Sequence, residues 1–309
     1  SVPEPLCNEF FISGYISEGG AGATTRWETT SNYSMLDSCG RARILLASRD
    51  TSHIEVMVND SLKRTFEVVN NGRLGEIYVE APVNTLKVKV LDGKTVCYGA
   101  SFEGDGGVMI DNFSVRSNNG HAIYKMNKDV CADVDELLGY DLVVLQYGLN
   151  IMEAERTNYA RYSEQLRTMV KYAQAYFPNA AVLILGVSDR WVKDAESGEY
   201  KPIGTVENLT SYQRAAADSC GVVFWQTAAA MEALGGMPNF VKNGWAAKDH
   251  THMTFSGGKR LAQALTASIR QRVYERLVEK EEAERLRREA EAAAIAIDAD
   301  GESTDTVVE

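Results

Sequence analysis

The sequence predicts two fold classes in succession, an antiparallel β-sandwich and then an α/β domain built on a parallel sheet. Three observations predict them. Up to about residue 100, short runs rich in Val, Ile and Leu recur at roughly ten-residue spacing, with turn residues between them. From Gly106 onward, short continuous apolar runs alternate with helix-length stretches, the pattern of strands buried on both faces. Composition agrees: 309 residues, 45% apolar and 24% charged, make a globular chain with room for two domains at roughly 100–200 residues each.

The β runs are Ile44–Ala47, His53–Val58, Thr65–Val69, Glu76–Glu80 and Thr85–Leu91, divided by Val58-Asn59-Asp60, Asn70-Asn71-Gly72 and Leu91-Asp92-Gly93. Leu86-Lys87-Val88-Lys89-Val90 alternates strictly, so one face is apolar and the other polar. Residues 1–105 are expected to form a small sandwich or jelly roll, with Pro3, Pro5 and the Gly-rich 17–23 stretch as loop. In the second part the expected strands are Val108–Ile110, Leu142–Gln146, Ala181–Gly186 and Val222–Trp225. The expected helices are Tyr159–Tyr176, Val206–Cys220 and Ser256–Glu279. Residues 106–275 therefore read as an α/β domain with at least four parallel strands. Residues 276–309 read as a charged helix with an acidic tail, the last residues from Gly301 disordered. Its apolar positions are too sparse for a sustained heptad, so it extends the last domain helix or offers a protein partner a surface.

Net charge is 32 − 43 = −11, and residues 281–309 alone carry ten acids against three bases. An acidic chain without clustered Lys and Arg is not expected to bind nucleic acid. Cys7, Cys39, Cys97, Cys131 and Cys220 include no CxxC pair, which excludes zinc-ribbon and thioredoxin readings and leaves room for one bridge among the first three. No run of 18 apolar residues is present, so no membrane span is expected. No signal peptide is visible, and Ser1-Val-Pro-Glu-Pro5 reads as a processed or cut start.

Three segments carry chemistry, and all should lie at the carboxyl ends of strands, where open α/β sheets bind ligands. Gly107-Val-Met-Ile-Asp-Asn-Phe-Ser-Val-Arg-Ser-Asn-Asn-Gly120 is an apolar run entering a polar loop. Leu142-Val-Val-Leu-Gln-Tyr-Gly-Leu-Asn150 is a strand ending in Gly-x-Asn. Asp249-His-Thr-His252-Met-Thr-Phe-Ser-Gly257 is a loop entering a helix. His252 can act as a general base once a carboxylate accepts its second N–H, and Asp249 stands three residues earlier. Asn150 offers a side-chain N–H to a developing oxyanion, and Gly148 lets substrate approach the backbone. His53 and His121 have no partner at metal-ligand spacing, and Asp249, His250 and His252 have no second ligand cluster, so neither metal nor cofactor is expected. Trp191, Trp225 and Trp245 follow or end expected strands, as sugar-cleft walls or as core. Gly104-Asp-Gly-Gly107 is a hinge rather than a phosphate loop, since no Lys-Ser/Thr follows.

In this combination and order the segments resemble the SGNH hydrolases, also called GDSL-type esterases. Gly148-Leu149-Asn150 resembles that superfamily's third block and Asp249-x-x-His252 its fifth. Asp111-Asn112 with Arg116-Ser-Asn-Asn-Gly120, Ile184-Leu-Gly-Val-Ser-Asp189 and Gly236-Met-Pro238 are similar to a Bacteroidetes subgroup in which a jelly roll interrupts the hydrolase domain. The resemblance covers residues 106–270 well and the β part loosely. It implies a flavodoxin-like parallel sheet with helices on both faces. It also implies a serine esterase without cofactor, exported to the periplasm or cell surface, removing small acyl groups such as acetyl from a carbohydrate or cell-wall glycan. Asp249 and His252 would be its catalytic pair, and Asn150, Gly148 and the Ser117 backbone its oxyanion donors.

The chain departs from the pattern in two places. Ser117 stands where the second block has glycine, and the Gly-Asp-Ser nucleophile block is absent. Three explanations stay open: a catalytic strand upstream of Ser1, an internal serine (Ser52, or less well Ser114 or Ser117), or a degenerate domain that binds carbohydrate or assembles without catalysis.

Overall fold

The computed structural model describes residues 16–32, 36–104, 106–114 and 118–301. The chain divides into two compact units, Ser1–Val187 with Gly204–Gln226, and Ser188–Ile203 with Thr227–Glu309.

The first unit opens with the sandwich. Its strands are β1 (Ser17–Gly20), β2 (Thr24–Glu28), β3 (Cys39–Ser48), β4 (Ser52–Val58), β5 (Leu62–Val68), β6 (Gly75–Val83), β7 (Thr85–Asp92) and β8 (Lys94–Glu103). They form two antiparallel four-stranded sheets, ordered β1-β8-β3-β6 and β2-β7-β4-β5. Strand alternation builds the core: Ile54, Val56 and Val58 of β4 and Leu86, Val88 and Val90 of β7 point inward against Ala42, Ile44, Leu46, Ile77 and Val79. Each expected β run lies in one of these strands. The disulfide is not formed between Cys39 and Cys97, which are free thiols, as are Cys131 and Cys220; Cys7 lies outside the described residues.

The same unit continues with α1 (Lys128–Leu138), β9 (Leu142–Leu145), α2 (Ala160–Tyr176), β10 (Ala181–Leu185), α3 (Val206–Cys220) and β13 (Val223–Trp225). Asn127 caps α1 by accepting the N–H groups of Asp129 and Val130. The sheet is parallel in the order β13-β10-β9, with Leu183 beside Val223 and Val144.

The sheet therefore has three strands among the described residues, not four. The expected strand Val108–Ile110 forms no ladder, and its side chains are 89%, 54% and 85% exposed. Among the described residues β9 is the edge of this sheet, and Leu142 and Val144 stand exposed along it. Backbone amides form a strand only where a neighbour shares the ladder, and no described residue pairs with 108–110.

Within this unit, charge and hydrogen bonds join the sandwich to α1. Asp133, 6% exposed, accepts Arg73 Nε at 2.8 Å and the Leu74 N–H at 2.8 Å. Arg43 donates to the Leu137 carbonyl and pairs with the buried Glu103 at 2.9 Å.

The second unit holds the hairpin β11 (Trp191–Lys193) and β12 (Tyr200–Pro202), the short helices α4 (Thr227–Ala233) and α5 (Gly236–Lys242), and the long helix α6 (Phe255–Gly301). Met231, Met237, Phe240 and Ala246 form its core. Helix α6 runs on past the expected Glu279, and Val273, Tyr274, Leu277 and Leu286 are exposed on it. No helix among the described residues is long and apolar enough to cross a membrane.

Asp133→Ala strips a hydrogen-bond acceptor from the buried Leu74 N–H and is expected to cost about 1–3 kcal/mol of stability. Urea unfolding reads this as a lower midpoint at unchanged slope; an unshifted midpoint contradicts the role given to Asp133.

Candidate active site

The sharpest expectation concerned Asp249 and His252, and the second unit brings them together. His252 Nδ1 lies 2.7 Å from Asp249 Oδ2, while Asp249 Oδ1 accepts the backbone N–H groups of Thr251 and His252, each at 3.0 Å. The local fold makes this cheap. Residues 246–253 double back, Ala246 bridging Met253, with the Ala247 N–H donating to the His252 carbonyl and the His250 N–H to the Ala247 carbonyl. Thr254 then opens α6, its hydroxyl accepting the Gly257 N–H, and Gly257 packs against the Trp245 carbonyl, where a Cβ would collide. The His252 ring is 80% exposed. With Nδ1–H donated to Asp249, Nε2 is the free lone pair, the state a general base requires. The His252 hydrogen bond, helped by the two amides, holds the Asp249 carboxyl down at about 2.

The first unit places the third block at the end of β9. Gly148 has φ 123°, and a Cβ there would come within 2.6 Å of Val187 Cγ1 and 2.9 Å of Gln213 Nε2. Only glycine tolerates both the backbone and the space. The exposed Asn150 lies on the following 3-10 turn, Leu149–Ile151, and donates through Nδ2 to the Asn118 carbonyl at 3.3 Å. The second-block loop thus lies beside the third block. Asn150 keeps a second amide hydrogen for a ligand. Farther up that loop, Asp111 Oδ2 accepts the Tyr140 hydroxyl at 2.6 Å.

Gln213 belongs to this site and has no motif to announce it. Fully buried, it accepts the Val187 N–H at 3.0 Å and donates to the Tyr147 carbonyl at 2.8 Å, so one amide links the ends of β10 and β9. The signal available in the sequence is an amide four residues after Leu209 on the apolar stripe that also holds Ala216 and Ala217 of α3. The Ile184–Asp189 and Gly236–Pro238 stretches also meet: Asp189 Oδ2 accepts the Met237 N–H at the start of α5.

The serines fall elsewhere. Ser52 begins β4 inside the sandwich; it is fully buried, 2.6 Å from the Ser48 hydroxyl, and donates to Asp50. A hydroxyl without exposed surface cannot meet an ester, which removes Ser52 as a nucleophile. Ser114 is exposed in its loop, where its N–H donates to Asn112. Ser117 lies outside the described residues. Trp245 packs edge-on to Phe240 on the rim of the second unit's core, Trp191 of β11 packs against the same core, and Trp225 ends β13. His53 is held by Asp92 at 2.9 Å on the sandwich.

Because Asp249 is depressed in the folded protein, the stability that it contributes is complete above the ordinary carboxylate pKa and is lost as pH falls through about 2. Ring ¹⁵N shifts of His252 are therefore expected to keep the Asp249 contact at pH 3; a contact already lost at pH 4 contradicts it. Gly148→Ala is expected to destabilise by roughly 1–3 kcal/mol through backbone strain alone, read by thermal unfolding. A variant of unchanged stability would show that the turn has room that the structure denies it.

No family model and no curated protein matches the chain. Among solved structures, it is similar to a peptidoglycan O-acetylesterase at 21% identity and a TM-score of 0.67, over 85% of this chain and 72% of that one. A family two carbohydrate esterase from Clostridium thermocellum aligns at 12% identity over 83% and 94% of the two chains, with a TM-score of 0.33 that is too low to carry an argument. The chain thus shares its fold, an antiparallel sandwich followed by a parallel sheet with helices, with a peptidoglycan O-acetylesterase, which is the architecture that its resemblance to the SGNH hydrolases implies.

Proposed function

We propose that this chain carries the base and oxyanion machinery of an SGNH-type serine esterase that removes acyl groups, acetyl foremost, from a carbohydrate or cell-wall glycan outside the cytoplasm. The observation that carries the reading is the Asp249–His252 pair, with its carboxylate held by three hydrogen bonds and Nε2 left open. A serine attacks the ester carbonyl while His252 Nε2 takes its proton, and Asp249 stabilises the imidazolium. Asn150 Nδ2 donates to the oxyanion, the alcohol leaves with the proton from His252, and water repeats the cycle on the acyl-enzyme. The fold shared with a peptidoglycan O-acetylesterase supports the substrate class.

The nucleophile is left to labelling, since Ser52 is buried and Ser114 lies on an exposed loop. The rival reading is a carbohydrate-binding or assembly module. In that reading the exposed apolar residues of α6 would serve a protein partner.

The test is acetate release from an O-acetylated glycan by the 309-residue chain. Asn150→Ala is expected to lower kcat by roughly 10²–10³, and His252→Ala to abolish turnover above background. Full activity in either variant refutes the assignment. Glycan retention unaffected by His252→Ala, with no acetate released by the wild type, selects the rival.

A further inference from the structure

The turn that joins Asp249 to His252 depends on the residue between them that the mechanism does not use. His250 has φ 54°, the left-handed region that a bulky side chain occupies only when its surroundings hold it there. That reversal folds Thr251 and His252 back over Asp249, so that one carboxylate reaches both backbone N–H groups and the imidazole. Stacking holds His250. Its ring lies on Tyr200 at 3.8 Å between centroids with 11° between planes, and Trp191 lies at 6.3 Å and 28°. Its Nδ1 is buried with no hydrogen-bond partner, as befits a ring fixed by its faces rather than by its nitrogens. The hairpin also grips the backbone: the Trp191 N–H donates to the His250 carbonyl at 3.1 Å, and Asp194 pairs with Lys201 across its strands.

We propose that Tyr200 and Trp191, one on each strand of the β11–β12 hairpin, are positioning residues that clamp the His250 ring and so hold the turn that presents Asp249 to His252. The clamp has functional meaning only if His252 is the general base, as proposed above, but its geometry is testable without turnover. It gives the hairpin a task that no motif marks: keeping an exposed dyad ordered before substrate arrives.

The test is ¹H–¹⁵N NMR of the His252 ring in the 309-residue chain. The wild type is expected to show a low-field Nδ1–H signal and the Nδ1-protonated tautomer, and Tyr200→Phe, which keeps the flat face, to retain both. Tyr200→Leu, which keeps apolar bulk without the face, is expected to lose the low-field signal to exchange. Should that variant not fold by circular dichroism, His250→Ala takes its place. Ala offers no ring to clamp and does not favour the left-handed backbone, and the same loss is expected. An unaltered signal in either folded variant overturns the clamp, and so does equal loss in Tyr200→Phe. Neither result bears on acetate release, so the clamp and the esterase reading fail separately.

Discussion

An imidazole proposed as a general base needs a fixed tautomer and orientation, and the Asp249 carboxylate supplies both by accepting the Nδ1 hydrogen of His252. Much of the second unit serves to hold that carboxylate. Its Oδ1 is fixed by the Thr251 and His252 amides, the turn behind them by the Ala246–Met253 bridge, and the bridge by the entry into α6 at Thr254. The dyad is exposed, so its Coulomb energy is weak in water. Backbone geometry rather than attraction between charges therefore has to keep the pair in register.

The other constraint is the hydrogen-bonding demand of a parallel sheet. Inside the sheet that demand is met, and at the ends of β9 and β10 it is met by the Gln213 side chain. At the outer edge of β9 no described residue shares the ladder, and Leu142 and Val144 stand exposed there.

How much of this could be read from sequence depended on how local each cause was. The β4 and β7 alternation, the α2 and α3 helices and the Asp249–His252 pair all arise from neighbours a few residues apart, and each appears where its pattern puts it. Val108–Ile110 failed because three apolar residues suit a strand only if a partner strand exists, and a partner is not a property of the run itself. Ser52 failed similarly: it stands beside His53 in sequence, but β4 turns the hydroxyl inward to Ser48. Gln213 and the Tyr200–His250 stack join residues 26 to 66 positions apart or on separate elements, and no local spacing announces them.

Labelling the 309-residue chain with a fluorophosphonate probe, followed by peptide mapping, examines the account at its foundation. If His252 is the general base of a serine esterase, one serine of the chain takes the label and loses it in His252→Ala. Label on no serine, or label that His252→Ala leaves unchanged, would contradict the esterase reading and favour the binding module.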